Sequence, residues 1–354
     1  MDMRKVLLQD LTPEMKLART VFNPDGRVLV AAGTAVTPKV VARLAEKGLP
    51  AVYVSTPTSP LVEDIISEKT IAMLLKPFYE MYQSIKAGRG LEWRGVKEPL
   101  NALVDEALSH RRNLVGWTDI RIHDAYLFGH SINVTVLSVL MGIMYGYNEI
   151  KLRELAIGAL FHDLGMLLIP QAILEKRSAL NAAEERQMRE HANLGFQLLR
   201  GRDDISAVSA NIAYQHHERL DKSGYPRNLS DEGILEMSKI VAVADVYDAM
   251  TSERVYRRAL SPRQAVNYLR SNAGRLFDPL AVAVLVKCVA EYPVGTRVRL
   301  SNGQIAVVSR VNPEDGRRPC VTVGGGHEIN LLDRTELAIV EEVEEIRYNG
   351  ASGE

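Results

Sequence analysis

Five of the chain's eight histidines, His130, His162, His191, His216 and His217, fall in its middle stretch, each in or beside an apolar, helix-patterned run. His130 lies in YLFGHSINVTVLSVL, His191 in MREHANLGFQLL, and His216 and His217 follow each other in VSANIAYQHHERLD. His162 stands with Asp163 inside ALFHDLGMLLIP, and a second carboxylate, Asp245, sits in the apolar IVAVADVYDAM. Taken singly, a histidine on an apolar face is more often a hydrogen-bonded core residue than a ligand. Together, five imidazoles and two carboxylates on the inner faces of one helical unit are a costly set of buried polar groups unless they converge on cations. Mixed imidazole and carboxylate donors suit iron, manganese or zinc, and a carboxylate can join two ions. Asp163 is the natural bridge, because its neighbour His162 holds only one side. The spacing is too long-range for a zinc finger, and the set contains no thiolate.

Two features accompany the cluster. Glu218–Ser230, ERLDKSGYPRNLS, is a turn-rich loop directly after the histidine pair, with Gly224 and Pro226 shaping it. Thr251–Ser261, TSERVYRRALS, places Arg254, Arg257 and Arg258 just beyond Asp245. Arg254 and Arg257 are three apart and share a helix face. Close to a metal carboxylate, their guanidinium forks suit a phosphate. Arg258 reads as part of a solvated charged face.

The elements that must hold these residues are mainly helical. Residues 1–56 read as a small α+β module: Asp25-Gly26 is a hairpin signal, Thr37-Pro38 an N-cap with the first helical residue, and Gly48 a stop. Thr56–Pro60 is a short stiff linker. Residues 57–115 form a helical connector, with Pro77 a kink or boundary. It reads as packed on its own domain, with a dimerising connector as the alternative. Residues 116–291 are strongly helical and carry the ionisable set; Asn181 with Glu184 is a capping box for the helix that includes His191. Residues 292–346 switch to alternation around an Asn302-Gly303 hairpin tip, a small barrel or curled sheet, and 347–354 are a flexible tail. The net charge of -1 excludes a general pull toward nucleic acid or anionic lipid. Cys288 and Cys320 fit no metal spacing and read as reduced thiols. The longest apolar segment, Ile132–Tyr147, is too short to span a membrane and reads as a buried core helix, so a soluble, cytoplasmic protein is expected.

The ordered blocks GHSINV, FHDLG, EHANLG, QHHERLDKSGYP and VAVADVYDAMTSERVYRRALSP resemble the bacterial HD-GYP domain. This is the branch of the HD phosphohydrolase superfamily associated with hydrolysis of cyclic di-GMP. The likeness covers about half of the chain and implies a mainly α fold whose central domain is all-helical. It also implies that His130, His162, Asp163 and Asp245 hold one divalent metal, with Asp163 bridging to a second held by His191, His216 and His217. Iron or manganese would come first, zinc or others after. Tyr225, Arg254 and Arg257 would line the substrate phosphates, with Lys222 beside them, and Asp163, Arg254 and Arg257 would carry catalysis.

Three departures from the family pattern matter. Met166 stands where the motif His-Asp-x-Gly-Lys has its lysine. Tyr126 stands where members with a third metal have a glutamate, so two metals are expected. Lys222 replaces the first glycine of Asp-Gly-x-Gly, either restricting the loop or returning some of the positive charge lost at Met166.

The implied reaction is opening of cyclic di-GMP to linear pGpG, with GMP as a further product, by a hydroxide that two metals activate. The charge-assisted hydrogen bond that Met166 cannot make is worth about 1.5–3 kcal/mol. That is roughly a ten- to hundredfold loss of rate, which points to a slow or specialised enzyme. Two rival readings stand beside this one. The first is a receptor that binds cyclic di-GMP, hydrolyses little and signals to a partner; the second is an HD hydrolase of another nucleotide. The Gly224-Tyr225-Pro226 loop would meet GGDEF-domain proteins; a homodimer fits the connector, and neither DNA nor a membrane is an expected partner.

Overall fold

Turn and cap chemistry sets the N-terminal elements. In the computed structural model, which describes residues 3–23, 25–49, 51–55, 65–111, 126–176, 178–252, 259–312 and 314–343, β1 (Met3–Leu7), β2 (Lys16–Leu17), β3 (Val21–Phe22) and β4 (Val28–Val30) precede α1 (Pro38–Glu46) and β5 (Ala51–Ser55). β5 lies between β1 and β2 in an antiparallel sheet, while β3 and β4 pair around Asp25-Gly26. Gly26 takes the left-handed φ of +78° that the turn requires. The Thr37 hydroxyl accepts the Val40 amide at 3.3 Å, Pro38 opens α1, and Gly48 just past its end has φ +72°. Leu17, Leu44 and Val54 sit in a small core of this module.

Next come α2 (Glu68–Lys86) and α3 (Arg94–Ser109). Pro77 does not end α2, which runs through it. Leu74, Leu75, Phe78 and Met81 bury the helix on both sides of the proline, and that packing carries the missing backbone bond. The linker Thr56–Pro60 lies outside the described residues, as do 347–354.

The site is built on α4 (Tyr126–Met144), α5 (Glu149–Leu160), α6 (Gln171–Leu174), α7 (Ala182–Arg189), α8 (His191–Leu199), α9 (Ala207–Gln215), α10 (Glu236–Thr251), α11 (Pro262–Ser271) and α12 (Pro279–Cys288). One hydrophobic core joins α4, α5 and α8 through α12 to α2 and α3. Phe128 of α4 packs its ring 5.2 Å from Phe78 and 4.5 Å from Tyr82, and Trp93 meets Phe161 edge-on at 5.8 Å. These aromatic contacts fix the end of α5 immediately before His162. α4 is buried nearly all round, as its apolar run required. Among the described residues no helix is long and apolar enough to cross a membrane.

The chain ends in β6 (Arg297–Leu300), β7 (Ile305–Arg310), β8 (Cys320–Val323), β9 (His327–Asn330) and β10 (Ile339–Glu342), an antiparallel sheet in the order β10-β6-β7-β8-β9. Gly303, at φ +85°, makes the expected tip between β6 and β7. The Arg270 guanidinium grips buried Glu291 in two hydrogen bonds of 2.7 and 3.1 Å, fastening α11 to the start of this sheet module.

Candidate metal centre

Each ligand candidate sits where a helix begins, ends or is buried. His130 projects from α4 and Asp245 from the middle of α10. α5 stops at Leu160, so His162 and Asp163 occupy the turn between it and a 3-10 helix over Leu164–Leu168. His216 caps the C-terminus of α9, and His217 follows it. The capping box of Asn181 and Glu184 is present, yet the helix it starts is α7, which ends at Arg189. His191 instead opens α8, with Glu190 at the break between the two helices.

Glycines let these pieces meet. A Cβ on Gly165 would overlap the main-chain carbonyl of His191 and the amide of Gly195. Only a bare backbone lets the Asp163 turn approach the start of α8 so closely. Gly158 plays the same part between α5 and α9, where a Cβ would collide with Ile212.

The result is a convergent set around Asp163. Its Oδ2 faces His162 Nε2 at 3.4 Å and His130 Nε2 at 3.8 Å. Its Oδ1 faces His191 Nε2 at 3.4 Å and His216 Nε2 at 3.6 Å. Asp245 also spans both sides, with Oδ1 at 3.1 Å from His130 Nε2 and Oδ2 at 4.0 Å from His217 Nδ1. The donor atoms therefore form two groups, Asp163 with His191, His216 and His217, and His130 with His162 and Asp245. All seven candidates are brought together, and only His217 retains appreciable exposure.

The donors suit a divalent cation. His162 Nε2 and Asp163 Oδ1 are buried without a hydrogen-bond partner, although each is flanked by further ligand atoms. Such groups are expensive to leave unsatisfied in an apolar interior, and a cation satisfies them. The orientation of the rings agrees. His162, His191 and His216 turn Nδ1 to the main-chain carbonyls of Ala159, Met188 and Ala213 at 2.7, 2.7 and 2.9 Å, leaving Nε2 directed inward.

Protonation is set by the same crowding. Burial depresses His216, and burial together with the neighbouring His216 imidazole holds His217 well below its ordinary value, so both are neutral bases. Burial works against charge on His162 too, but the Asp163 carboxylate outweighs it and raises that imidazole. Burial likewise opposes the two carboxylates. The His162 imidazole and hydrogen bonds nevertheless hold Asp163 well below the carboxylate range, and His130 does the same for Asp245. Ionised carboxylates beside the neutral imidazoles of His216 and His217 are ready to bind a cation, whereas His162, favoured in its charged form by Asp163, gives up its proton on binding one.

Residues 105–280 match the family model described as the HD domain. The chain carries an HD domain of the HD-GYP type. A cyclic di-GMP phosphodiesterase of Pseudomonas aeruginosa is 30% identical over 64% of this chain and 55% of its own length. A 3'3'-cGAMP-specific phosphodiesterase of Vibrio cholerae is 34% identical over 48% of this chain and 36% of its own. The chain thus spans about half, or less, of the curated relatives it matches. An HDG"Y"P protein from Bdellovibrio bacteriovorus shares the fold, with a TM-score of 0.52 over 80% of this chain and 98% of its own, at 17% identity.

The Gly-Tyr-Pro loop of this HD-GYP domain is held by a residue that sequence reasoning passed over. Glu218 is buried, and its carboxylate accepts the amides of Arg227 at 2.7 Å and Leu229 at 2.9 Å. A Cβ on Gly224 would meet the backbone of His217 and Arg219, so the loop turns back tightly on the histidine pair. Tyr225 stacks on His217 with ring centroids 4.6 Å apart, and the Arg189 guanidinium lies over its ring at 5.1 Å. Burial and the nearby Asp163 push the Tyr225 hydroxyl up, so it stays a donor.

Lys222 adopts the left-handed φ of +66° that suits the family's glycine, and its side chain is exposed, outside the ligand set. Asn228 braces this conformation through Nδ2 to the Lys222 carbonyl at 3.2 Å. Met166 is half-buried on the 3-10 helix, its amide donating to the Asp163 carbonyl at 2.9 Å. Arg254, Arg257 and Arg258 lie outside the described residues, and so does the side chain of Tyr126. Asp248, a second missed residue, hydrogen-bonds His130 from one turn beyond Asp245. Its signal was in the sequence, because two carboxylates three apart on an apolar helix share a face.

Proposed function

We propose that this chain is a metal-dependent cyclic di-GMP phosphodiesterase that yields linear pGpG and then GMP. The observation that carries the reading is the division of Asp163, with one oxygen toward His130 and His162 and the other toward His191 and His216. The ligands would be His130, His162 and Asp245 on one side and His191, His216 and His217 on the other, with Asp163 shared. Two divalent ions held there, iron or manganese ahead of zinc, would make water a nucleophile at neutral pH and neutralise charge on the phosphoryl oxygens.

The chain's own residues supply the rest. The Tyr225 hydroxyl, protonated and with its ring stacked on His217, would donate to a phosphate oxygen. Arg254 and Arg257 belong to the reading through the family pattern, as a fork for the second phosphate oxygen. The domain limits at residues 56, 115, 291 and 346, a GGDEF-domain partner at the Gly224–Pro226 loop, a homodimer and a cytoplasmic site of action complete the proposal.

The Vibrio relative's named activity supports a second substrate reading, 3'3'-cGAMP. Timed product analysis on full-length protein of measured iron, manganese and zinc content separates these. The expected result is faster conversion of cyclic di-GMP to pGpG than of 3'3'-cGAMP to its linear form. Tight binding of cyclic di-GMP without product would replace the enzyme by a receptor, and turnover confined to 3'3'-cGAMP or other phosphates would replace the substrate.

A further inference from the structure

His130 differs from the other inward-facing histidines in what stands behind it. His162, His191 and His216 are backed by neutral main-chain carbonyls. Behind His130 is a carboxylate: Asp248 Oδ2 lies 2.7 Å from His130 Nδ1. Asp248 is 2% exposed, a position where an ionisable side chain must have a reason to be. Its Oδ1 accepts Asn133 Nδ2 at 2.8 Å, and Ser252 Oγ donates to Oδ2 at 3.3 Å. Asn133 sits one turn after His130 on α4, and Ser252 caps α10 one turn after Asp248. The carboxylate is thereby locked by a group from each of the two helices that carry His130 and Asp245.

This lock has two consequences. A carboxylate on Nδ1 holds a proton there, which leaves Nε2, at 3.1 Å from Asp245 Oδ1 and 3.8 Å from Asp163 Oδ2, as the nitrogen that a cation would take. It also makes the imidazole a stronger base toward a cation than a carbonyl partner does. We infer that Asp248 is the positioning residue of the metal centre. It fixes the tautomer and aim of His130 and makes the His130–His162–Asp245 side the tighter of two cation positions. This rests on the metal-centre reading above.

The test titrates metal-stripped full-length protein with Mn²⁺, following free ion by its paramagnetic resonance. The unmodified chain is expected to fill two positions of unequal affinity. In Asp248→Asn the tighter affinity should fall about 10- to 100-fold, with the weaker one unmoved. In a His130→Ala background the same change should have no further effect. Equal weakening of both positions, no weakening of either, or a full additional loss in the His130→Ala background would each overturn the inference. A measurement on the unmodified chain loaded with Zn²⁺ stands apart from any folding defect in the variants: nitrogen-15 NMR should find the His130 proton on Nδ1, and a ring that keeps its proton on Nε2 instead would overturn it. Failure of the unmodified chain to take up Mn²⁺, Fe²⁺ or Zn²⁺ would remove the metal centre itself, whereas two filled positions indifferent to Asp248 would remove only its role.

Discussion

The two halves of the ligand set are built from different materials. His130 and Asp245 project from the interiors of α4 and α10, long buried helices, and Asp248 stands behind His130 as a third side chain. His191, His216 and His217 stand instead at helix ends, brought inward by main-chain approaches at Gly165 and Gly195 and by the seating of Ile212 on Gly158. Apart from His162, which sits in the turn after α5, one half is specified by side chains on rigid rods, the other by how closely backbones can pack. Substitutions in the first half should change metal affinity with little change in fold. Substitutions that thicken the backbone contacts in the second should damage both together.

Asp163→Ala is the most severe test, because that carboxylate faces both halves. It is expected to lower divalent metal content from two per chain toward none, and to abolish turnover, as read by elemental analysis alongside the product assay. Retention of two ions would mean that neither half depends on a bridge. Gly165→Ala comes next. The added methyl must push apart the 3-10 helix and α8, costing about 1–3 kcal/mol in chemical denaturation. Metal should be lost first from the His191–His216–His217 side. A loss of stability with both positions intact would show that the close approach serves packing alone.

What the sequence revealed follows the same division. The helical class, both flanking modules and the convergence of seven ligand candidates were legible, because apolar periodicity and the unusual density of histidines are local signals. The break between α7 and α8 was not: Glu190 is an ordinary helix former, and its position in a turn is imposed by how α8 packs against the Asp163 turn. Pro77 stays inside α2 and does not bound it, since burial around Leu74, Phe78 and Met81 outweighs the bond it removes. Asp248 and Glu218 were missed because neither completes a recognisable motif. Their roles appear only once α10 meets α4 and the Gly-Tyr-Pro loop folds back. Lys222 shows the opposite case, a departure from the glycine pattern that the backbone absorbs by keeping the left-handed conformation.

Met166 tests where the comparison ends, on the 3-10 helix that joins the two halves. It departs from the family's lysine, yet its backbone does the same work as any residue there, donating to the Asp163 carbonyl. Its side chain is half-buried and belongs to neither donor group, so its replacement should leave both cation affinities unchanged. If a cation at this position meets a substrate phosphate, Met166→Lys should supply a charge-assisted hydrogen bond worth about 1.5–3 kcal/mol. In kinetics that is roughly a tenfold or larger gain in kcat/KM for cyclic di-GMP at constant metal content. A gain confined to KM would place the new bond in the bound substrate, while a gain in kcat would place it in the transition state. Identical kinetics would mean that the apolar run through Met166 is simply the core face of its helix, and that the rate is set by the metal centre alone.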